Sequence, residues 1–564
     1  MRSLLSLAGW LVLVFAIALT TPLIAIFTTT NQAGAGHAGE LTLTILHTND
    51  FHARLAPVTF DGSRCRPSDS KAHLCYGGIA RLATEIERVR ASRPHTLLVD
   101  AGDRFQGSLY YNTYKSAALK PFFSLLGYQA MTLGNHEFDE GPEELARFLS
   151  DLAVPVISAN VDVSAEPLLA KRIGATLILN VGGERVGLIG LTTPTTTTSA
   201  KPGPNVHFTD PVEAARAGVS SLRNQGVNKI IAISHLGIAE DRKLAATVDG
   251  VAVIIGGHSH TLLRSNDKHA VGSAPMVVKS PSGKTVLIVQ AYTAGIYLGV
   301  LRVEFDKDGT ATSLEGEPIL LDDSIPENTT ARAFVEALSI PLQAELNKKV
   351  GELATALPGG AACRFSECGL GNLITDSMVE QTKSQGTQIA VINGGGIRTG
   401  LPAGQVTRGE VLEVLPFANT ISTFDLLGSD LRAALEYGLS RADNPGNDGT
   451  GRFLQVSGLR YSWDVTAPPG QRIVSVKVSR PDGSESELIP TATYHTATID
   501  FLRTGGDGYT VFHERAINAY DGGALISDAL INYLGVNYLG ANSPAPPDAK
   551  GRIMRSTPKA GNLH

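Results

Sequence analysis

A chain of 564 residues is too long for a single hydrophobic core, so two domains joined by a linker are expected, with three as the alternative. Hydrophobic residues make up 43% and charged residues 18%, which fits a folded globular protein and excludes extensive disorder. With 48 Lys and Arg against 54 Asp and Glu the net charge is -6, so no basic field holds a nucleic-acid polymer, and an anionic substrate must be drawn by metals and a few placed arginines.

The chain opens on Arg2 and an apolar run over residues 4–27, followed by the small residues Ala33, Gly34, Ala35 and Gly36. The run is longer than the roughly 7–15 residues of a signal core and close to the roughly 20 that span a bilayer. Residues 1–38 therefore read as a signal peptide or a retained N-terminal membrane anchor. The mature protein starts near Gly39 and is exported, whether periplasmic, secreted or on the cell surface. The cysteines agree with an oxidising compartment. Cys65 and Cys75 are ten residues apart and Cys363 and Cys368 five apart, so each pair can close a local loop as a disulfide. A zinc site shared by all four is the competing reading, but neither spacing is C-x₂-C and nearly three hundred residues separate the pairs.

From Leu41 onward, short β-branched runs interleave with helical stretches. Strands are expected over 43–46, 96–99, 186–191, 230–234, 251–255 and 286–290, and helices over 79–91 and 115–126. Polar clusters sit just past the strands, where loops of an α/β sheet converge to build sites. Thr48-Asn49-Asp50-Phe51-His52 comes first; on an extended segment Asp50 and His52 point to one side and grip one ion. Asp100-Ala101-Gly102-Asp103 and Gly134-Asn135-His136-Glu137-Phe138-Asp139 follow, then Ser234-His235 and Gly256-Gly257-His258-Ser259-His260. A lone histidine is more often a hydrogen-bonded core or loop residue; five such clusters at five strand ends are not explained that way.

The inventory suits two divalent ions about 3.5–4 Å apart, which need a bridging carboxylate and roughly three further ligands each, with positions left for water and phosphate oxygens. Asp103 is the natural bridge. Imidazole and oxygen donors without thiolate suit Zn²⁺, Mn²⁺, Co²⁺ or Fe²⁺ better than Ca²⁺.

Near Asp322 the pattern changes. Over 329–349, Phe334, Leu338, Leu342 and Leu346 mark one face of a helix, with Thr329 or Thr330 as N-cap and Pro341 expected to kink or split it. A second α/β segment begins at Gly351. The expected domains are thus 41–322 and 351–555, joined by a linker helix over 323–350. In the second, a strand over 389–392 precedes Asn393-Gly394-Gly395-Gly396-Ile397-Arg398, where glycines let backbone approach a ligand and an arginine meets an anion.

The order D-x-H, GD, GNHE, H, GHSH resembles the calcineurin-like metallophosphoesterases, and the surrounding text over about 41–555 resembles their 5′-nucleotidase branch, which also includes periplasmic UDP-sugar hydrolases. The resemblance implies an N-terminal metallophosphoesterase domain, a β-sandwich flanked by helices, and a C-terminal α/β nucleotide-binding domain. It implies one ion held by Asp50, His52, Asp103 and His260 and another by Asp103, Asn135, His235 and His258. His260 is a departure, because related enzymes often carry an amide side chain there. It further implies that His136 faces the phosphate and is oriented by Asp139, while Glu137 is structural or starts a helix. Cys363-Arg364-Phe365, Leu415-Pro416-Phe417, and Phe501 through Gly505-Gly506-Asp507-Gly508-Tyr509 resemble the nucleotide-binding domain in order and spacing. Arg364 and Arg398 would then contact phosphate, Phe417 and Phe501 sandwich the base, and Asn393 and Asp507 hold base and ribose. Both cysteine pairs and Asn393 match the ecto-5′-nucleotidase side of the family.

The implied activity is hydrolysis of nucleoside 5′-monophosphates, a small-molecule substrate, by a metal-activated water, with two divalent ions, Zn²⁺ foremost. The alternatives are a broader hydrolase of UDP-sugars, dinucleotides or 2′,3′-cyclic nucleotides, and a nucleotide-binding surface protein without catalysis. The family is also known for rotation of its C-terminal domain, for which the segment after Asp322 is the expected hinge.

Overall fold

The computed structural model describes residues 39–60, 62–417, 419–442, 450–480, 483–521, 523–539, 549 and 551–556. The apolar run expected to be a signal or anchor lies outside them. The first half of the chain is built on two six-stranded sheets. One has the order Ala311–Glu315, Tyr297–Phe305, Leu41–Thr48, Thr96–Asp100, Ala130–Met131, with Ile319–Leu320 paired at its edge. The other has the order Met276–Lys279, Thr285–Val289, Val253–Ile255, Lys229–His235, Glu184–Thr192, Thr176–Val181.

Alternate residues of both sheets meet in one buried layer, with Leu43, Ile45, Leu97, Val99, Leu301 and Val303 facing Leu188, Ile231, Ile233, Val253, Ile255 and Leu287. The opposite faces carry helices. Ile79–Ser92 and Gly141–Leu149 pack on the first sheet, and Pro211–Asn224 and Ile238–Thr247 on the second. Both faces of each sheet are thus covered, which is why the central strands read as continuous apolar runs.

Parallel pairing decides where chemistry collects. Leu41–Thr48, Thr96–Asp100 and Ala130–Met131 run parallel, as do Glu184–Thr192, Lys229–His235 and Val253–Ile255. Within each sheet the C-terminal ends of these strands therefore share an edge, and the five polar clusters lie at the last residues of five of them or in the loops that follow.

The helix expected over 115–126 is divided into a 3-10 turn, Lys115–Ala118, and a helix, Lys120–Leu126, with Pro121 in the first turn of the latter. Further on, Thr329–Ser339 is helical, the segment holding Pro341 tightens to 3-10 at Ile340–Leu342, and Gln343–Leu346 resumes the helix. The N-cap is Asn328 rather than Thr329 or Thr330; its side chain accepts from the Ala331 amide at 3.0 Å, and both threonines lie inside the helix.

Beyond Lys349 a five-stranded sheet has the order Leu454–Ser457, Ile389–Asn393, Thr493–Ile499, Ile421–Leu427, Ile517–Tyr520. Ile389–Asn393 and Thr493–Ile499 are parallel, so the Asn393–Arg398 segment and the Phe501–Asp507 segment leave the sheet at the same end. All four cysteines are paired, Cys65 with Cys75 and Cys363 with Cys368, which removes the shared zinc site.

Candidate metal centre and substrate cleft

The D-x-H segment is not extended. Its strand ends at Thr48, and both Asp50 (φ 48°) and His52 (φ 49°) lie in the left-handed region, so their shared direction comes from a tight loop rather than from strand alternation. Asp103 (φ 57°), His258 (φ 72°) and His260 (φ 51°) share that conformation. Each costs roughly 1–2 kcal/mol in an L-residue. Hydrogen bonding holds the strain: the Asp50, His52 and Ala53 amides donate to the carbonyls of Gly102, Asp103 and Arg104 at 3.0, 3.0 and 2.9 Å. Left-handed backbone concentrated at one set of side chains marks a functional constraint.

Two clusters of donors meet at Asp103. Its Oδ2 lies 3.2 Å from His235 Nε2, 3.9 Å from His136 Nε2 and 4.0 Å from His52 Nε2, while Oδ1 accepts from the His136 amide at 3.0 Å. Among the described residues Asp50, His52 and His260 form one group able to hold a cation, Asp103, His235 and His258 another, and His52, Asp103 and His136 a third that shares a residue with each. Asn135 belongs to the second, with Oδ1 2.9 Å from His258 Nδ1. His260 reaches the first group: its Nε2 is 3.0 Å from His52 Nε2 and 3.4 Å from Asp50 Oδ1. An imidazole thus stands where an amide was the expected pattern.

The donor set fits two cations. His52 Nδ1 faces the Phe105 carbonyl at 3.2 Å and His235 Nδ1 the Ala101 carbonyl at 2.6 Å, an arrangement that puts the ring proton on Nδ1 and leaves Nε2 a lone pair. His235 Nε2 is then buried without a hydrogen-bond partner among the described residues and aimed at a carboxylate, which is repulsive unless a positive charge sits between. Burial lowers the His235 pKa, but the Asp103 and Asp50 carboxylates outweigh it and raise it to about 10, a measure of the same demand for positive charge. His258 is pushed down to about 3 by burial and by His235, and His52 falls well below its ordinary range by burial and the nearby Arg398. Both are neutral rings, the ligating form. Burial pushes Asp103 up, yet His235 and His136 hold it well below the usual carboxylate range.

Supports around this centre complete it. Glu137, fully buried, accepts from the amides of Gly134, Asp103, Arg104 and Phe105 at 2.6, 3.0, 2.7 and 3.1 Å and so fixes the loop that presents Asp103. Its pKa is raised to about 7 by burial and by Asp103. A Cβ on Gly134 would overlap the Asp103 carboxylate, which is why glycine stands there. His136 Nδ1 pairs with Asp139 Oδ2 at 2.6 Å; burial lowers its pKa, but Asp139 and Asp103 raise it overall.

Sequence reasoning missed three groups. Arg104, buried against Asp100 at 2.6 Å and against the rings of Phe51, Phe123 and Tyr128, braces the first two loops from behind. Gln290 braces the last, receiving from Ser259 Oγ at 3.1 Å and donating to the Gly257 carbonyl at 3.1 Å. Arg452 lies over the Tyr437 ring at 4.6 Å and lines the cleft. The charge of Arg104 one residue after Asp103 was a signal; nothing in the sequence marked the other two.

One cleft of about 800 Å³ joins the two halves of the chain. Asp103, Asn135, His136, Asp139, His258 and His260 line it from one side, and Arg364, Asn393, Arg398, Phe417, Phe501 and Asp507 from the other. Asp50, His52 and His235 lie beneath that floor, 4% exposed or less. Among the described residues neither Arg364 nor Arg398 is ion-paired with a carboxylate, and Arg398 is lowered to about 10 by burial and by Arg364. Two half-buried guanidiniums in one cleft offer the charge and the donors that an anion would need. Arg398 Nη2 also donates to His52 Nε2 at 3.0 Å. Phe417 stacks on His136 at 5.6 Å and 16°, with Arg398 5.5 Å over its ring. Phe501 lines the same cleft as Phe417. Asn393 Nδ2 donates to Asp507 Oδ2 at 2.6 Å, while Asn393 Oδ1 is buried without a partner among the described residues.

Two family models match the chain, the calcineurin-like phosphoesterase over residues 43–262 and the 5′-nucleotidase C-terminal domain over residues 349–514. The snake venom 5′-nucleotidase of Naja atra is 39% identical over 512 residues, 87% of this chain and 95% of that protein. The 5′-nucleotidase of Homo sapiens is 36% identical over 542 residues, 92% of each chain. Among solved structures, the 5′-nucleotidase precursor of Thermus thermophilus aligns over 92% of this chain and 100% of its own, at 43% identity and a TM-score of 0.85.

Proposed function

The chain belongs to the 5′-nucleotidase family, whose calcineurin-like domain uses two divalent metal ions, and on that premise we propose a division of labour between its two halves. The protein hydrolyses nucleotide phosphoesters, taking nucleoside 5′-monophosphates to nucleoside and phosphate. Residues 41–322 form the hydrolytic domain, 323–350 the linker and hinge, and 351–555 the substrate domain. The observation that carries this reading is the single cleft to which Asp103 and His136 contribute from one half and Arg398 and Phe417 from the other.

Asp50, His52, Asp103 and His260 would hold one ion and Asp103, Asn135, His235 and His258 the other. Bound there, the two ions supply positive charge that draws electron density from the phosphoryl oxygens and makes water a nucleophile at neutral pH. With two imidazoles in each set, Zn²⁺ is the metal proposed, and the His260 imidazole strengthens that preference over harder cations. Arg364 and Arg398 orient the phosphate. His136, held at Nδ1 by Asp139, turns Nε2 toward the cleft, where it meets charge developing on phosphoryl oxygens or gives a proton to the departing 5′-oxygen. The disulfides fit an oxidising compartment, and we place the mature protein outside the cytoplasmic membrane.

Phosphate release from AMP by the purified protein, lost on chelation and restored by Zn²⁺, is the expected result. A metal-loaded protein inert toward AMP would overturn the reading, and turnover of UDP-glucose equal to that of AMP would replace it with the broad hydrolase. Phe417→Ala and Phe501→Ala are each expected to reduce kcat/KM for AMP by about 10- to 100-fold, the worth of one aromatic–base stack at about 1–3 kcal/mol. p-Nitrophenyl phosphate, which has no base, is expected to be cleaved within about threefold of the unaltered rate. Equal losses on both substrates would put these rings in the catalytic framework instead of a base site.

A further inference from the structure

The helix Arg408–Val414 joins the two halves at a point the reaction chemistry leaves unexplained. Glu410 and Glu413 lie three positions apart, hence on one face. Each meets an arginine from a different loop of the first half. Arg54 Nη1 is 3.5 Å from Glu413 Oε2, and the Arg66 guanidinium donates through Nε to Glu410 Oε1 at 2.7 Å, with Nη2 2.5 Å from the same oxygen. Arg66 goes on to donate to the carbonyls of Gln405 at 2.7 Å and Ala403 at 3.3 Å. The side chains of Arg54 and Glu413 are 6 and 11% exposed and those of Arg66 and Glu410 22 and 7%, so the first pair is shielded from the solvent that makes surface pairs nearly worthless and the second is shielded on its carboxylate side.

The helix end of both contacts leads to the site, as does the Arg54 end of one. Arg54 follows His52 by two residues, and its own amide donates to the Phe51 carbonyl at 3.1 Å. Arg66 is fixed by the loop that the Cys65–Cys75 disulfide closes. On the other side, the Arg398 amide donates to the Val414 carbonyl at 2.9 Å, and Phe417 stands three residues past the end of the helix. At its start, the Arg408 amide donates to the Lys348 carbonyl at 2.9 Å, where the linker ends. A shift of this helix therefore moves Arg398 and Phe417 against the metal-ligand loop.

We propose that Arg54–Glu413 and Arg66–Glu410 form a two-point latch that holds the halves in register, placing Arg398 and Phe417 over the metal loop. The four are positioning residues, and the proposal rests on the nucleotidase reading above. Without the latch the halves still fold and the metals still bind, but the arrangement in which phosphate and base are held together is populated less.

The test compares the full-length protein with Arg66→Gln, Glu413→Gln, the double variant and Arg66→Lys. Each single glutamine change is expected to lower kcat/KM for AMP about tenfold, equivalent to about 1.4 kcal/mol, and the pair about a hundredfold. Metal affinity, read by chelator competition, stays within about twofold, and Arg66→Lys recovers part of the loss. Spin labels at Lys307→Cys and Lys383→Cys, both on exposed side chains of opposite halves, are expected to show a longer and broader distance distribution in the double variant. An unchanged distribution, unchanged AMP turnover, or metal affinity falling in step with turnover would each overturn the latch. Absence of AMP turnover in the unaltered protein would sink the nucleotidase reading instead, and the distance measurement would still decide the latch.

Discussion

Asp103→Ala is expected to abolish hydrolysis of AMP and of p-nitrophenyl phosphate alike, with kcat/KM falling on the order of a thousandfold or more, about 4 kcal/mol of transition-state stabilisation. The reason is geometric. Asp103 Oδ2 faces His235, His136 and His52 at 3.2, 3.9 and 4.0 Å, the position from which a single carboxylate would serve both proposed ligand groups. Its removal takes an anionic ligand from each group and leaves three imidazoles close together with their main counter-charge gone. Metal content measured after dialysis against dilute Zn²⁺ is expected to fall below two ions per chain. The alanine is not expected to unfold the protein, because the loop is held by its amides on Glu137, which the substitution leaves in place. A variant that retains two ions and more than about a tenth of the activity would show that Asp103 is not the bridge. Loss on AMP alone would place the residue in substrate recognition.

How much of this centre the sequence displayed depends on the kind of interaction. The strand runs at 43–46, 96–99 and 230–234 were legible because each has a continuous β-branched or leucine-rich run, and their parallel pairing brings the polar clusters to the strand ends where they were sought. Asp50 and His52 come together as expected, but through left-handed loop backbone rather than through alternation along a strand. Local sequence carries no signal for such φ values in Asp and His, because tertiary hydrogen bonds to the carbonyls of Gly102, Asp103 and Arg104 impose them. The Asn328 cap was missed for the opposite reason, since three candidate cap residues stand in a row and only the observed geometry selects one. Contacts between distant segments were beyond reach. Arg54 and Glu413 are separated by 359 positions, and neither belongs to a motif, so nothing short of the folded chain pairs them.

His136 poses the sharpest remaining question about the reaction, because its two possible roles make different predictions. The ring is tethered at Nδ1 by Asp139, and its other nitrogen lies 3.9 Å from Asp103 Oδ2 in the cleft floor. His136→Ala is expected to lower kcat for AMP by about 10²- to 10⁴-fold, the range for removing a positioned proton donor. If Nε2 protonates the leaving oxygen, the loss depends on what leaves. A nucleoside 5′-alkoxide is strongly basic and needs the proton, whereas p-nitrophenolate departs without one, so the aryl ester is expected to lose less than about tenfold. If the ring instead steadies the phosphoryl oxygens, the loss is the same for both esters, since that charge develops whichever group departs. A series of aryl phosphates of rising leaving-group pKa separates the two: the ratio of unaltered to His136→Ala rates climbs with pKa in the first case and stays flat in the second. Asp139→Asn then acts in the same sense but more weakly, because the ring remains while its orientation and its protonated form lose their partner. Retention of full AMP turnover by His136→Ala would exclude both roles and reduce the stacking of His136 on Phe417 to packing across the cleft.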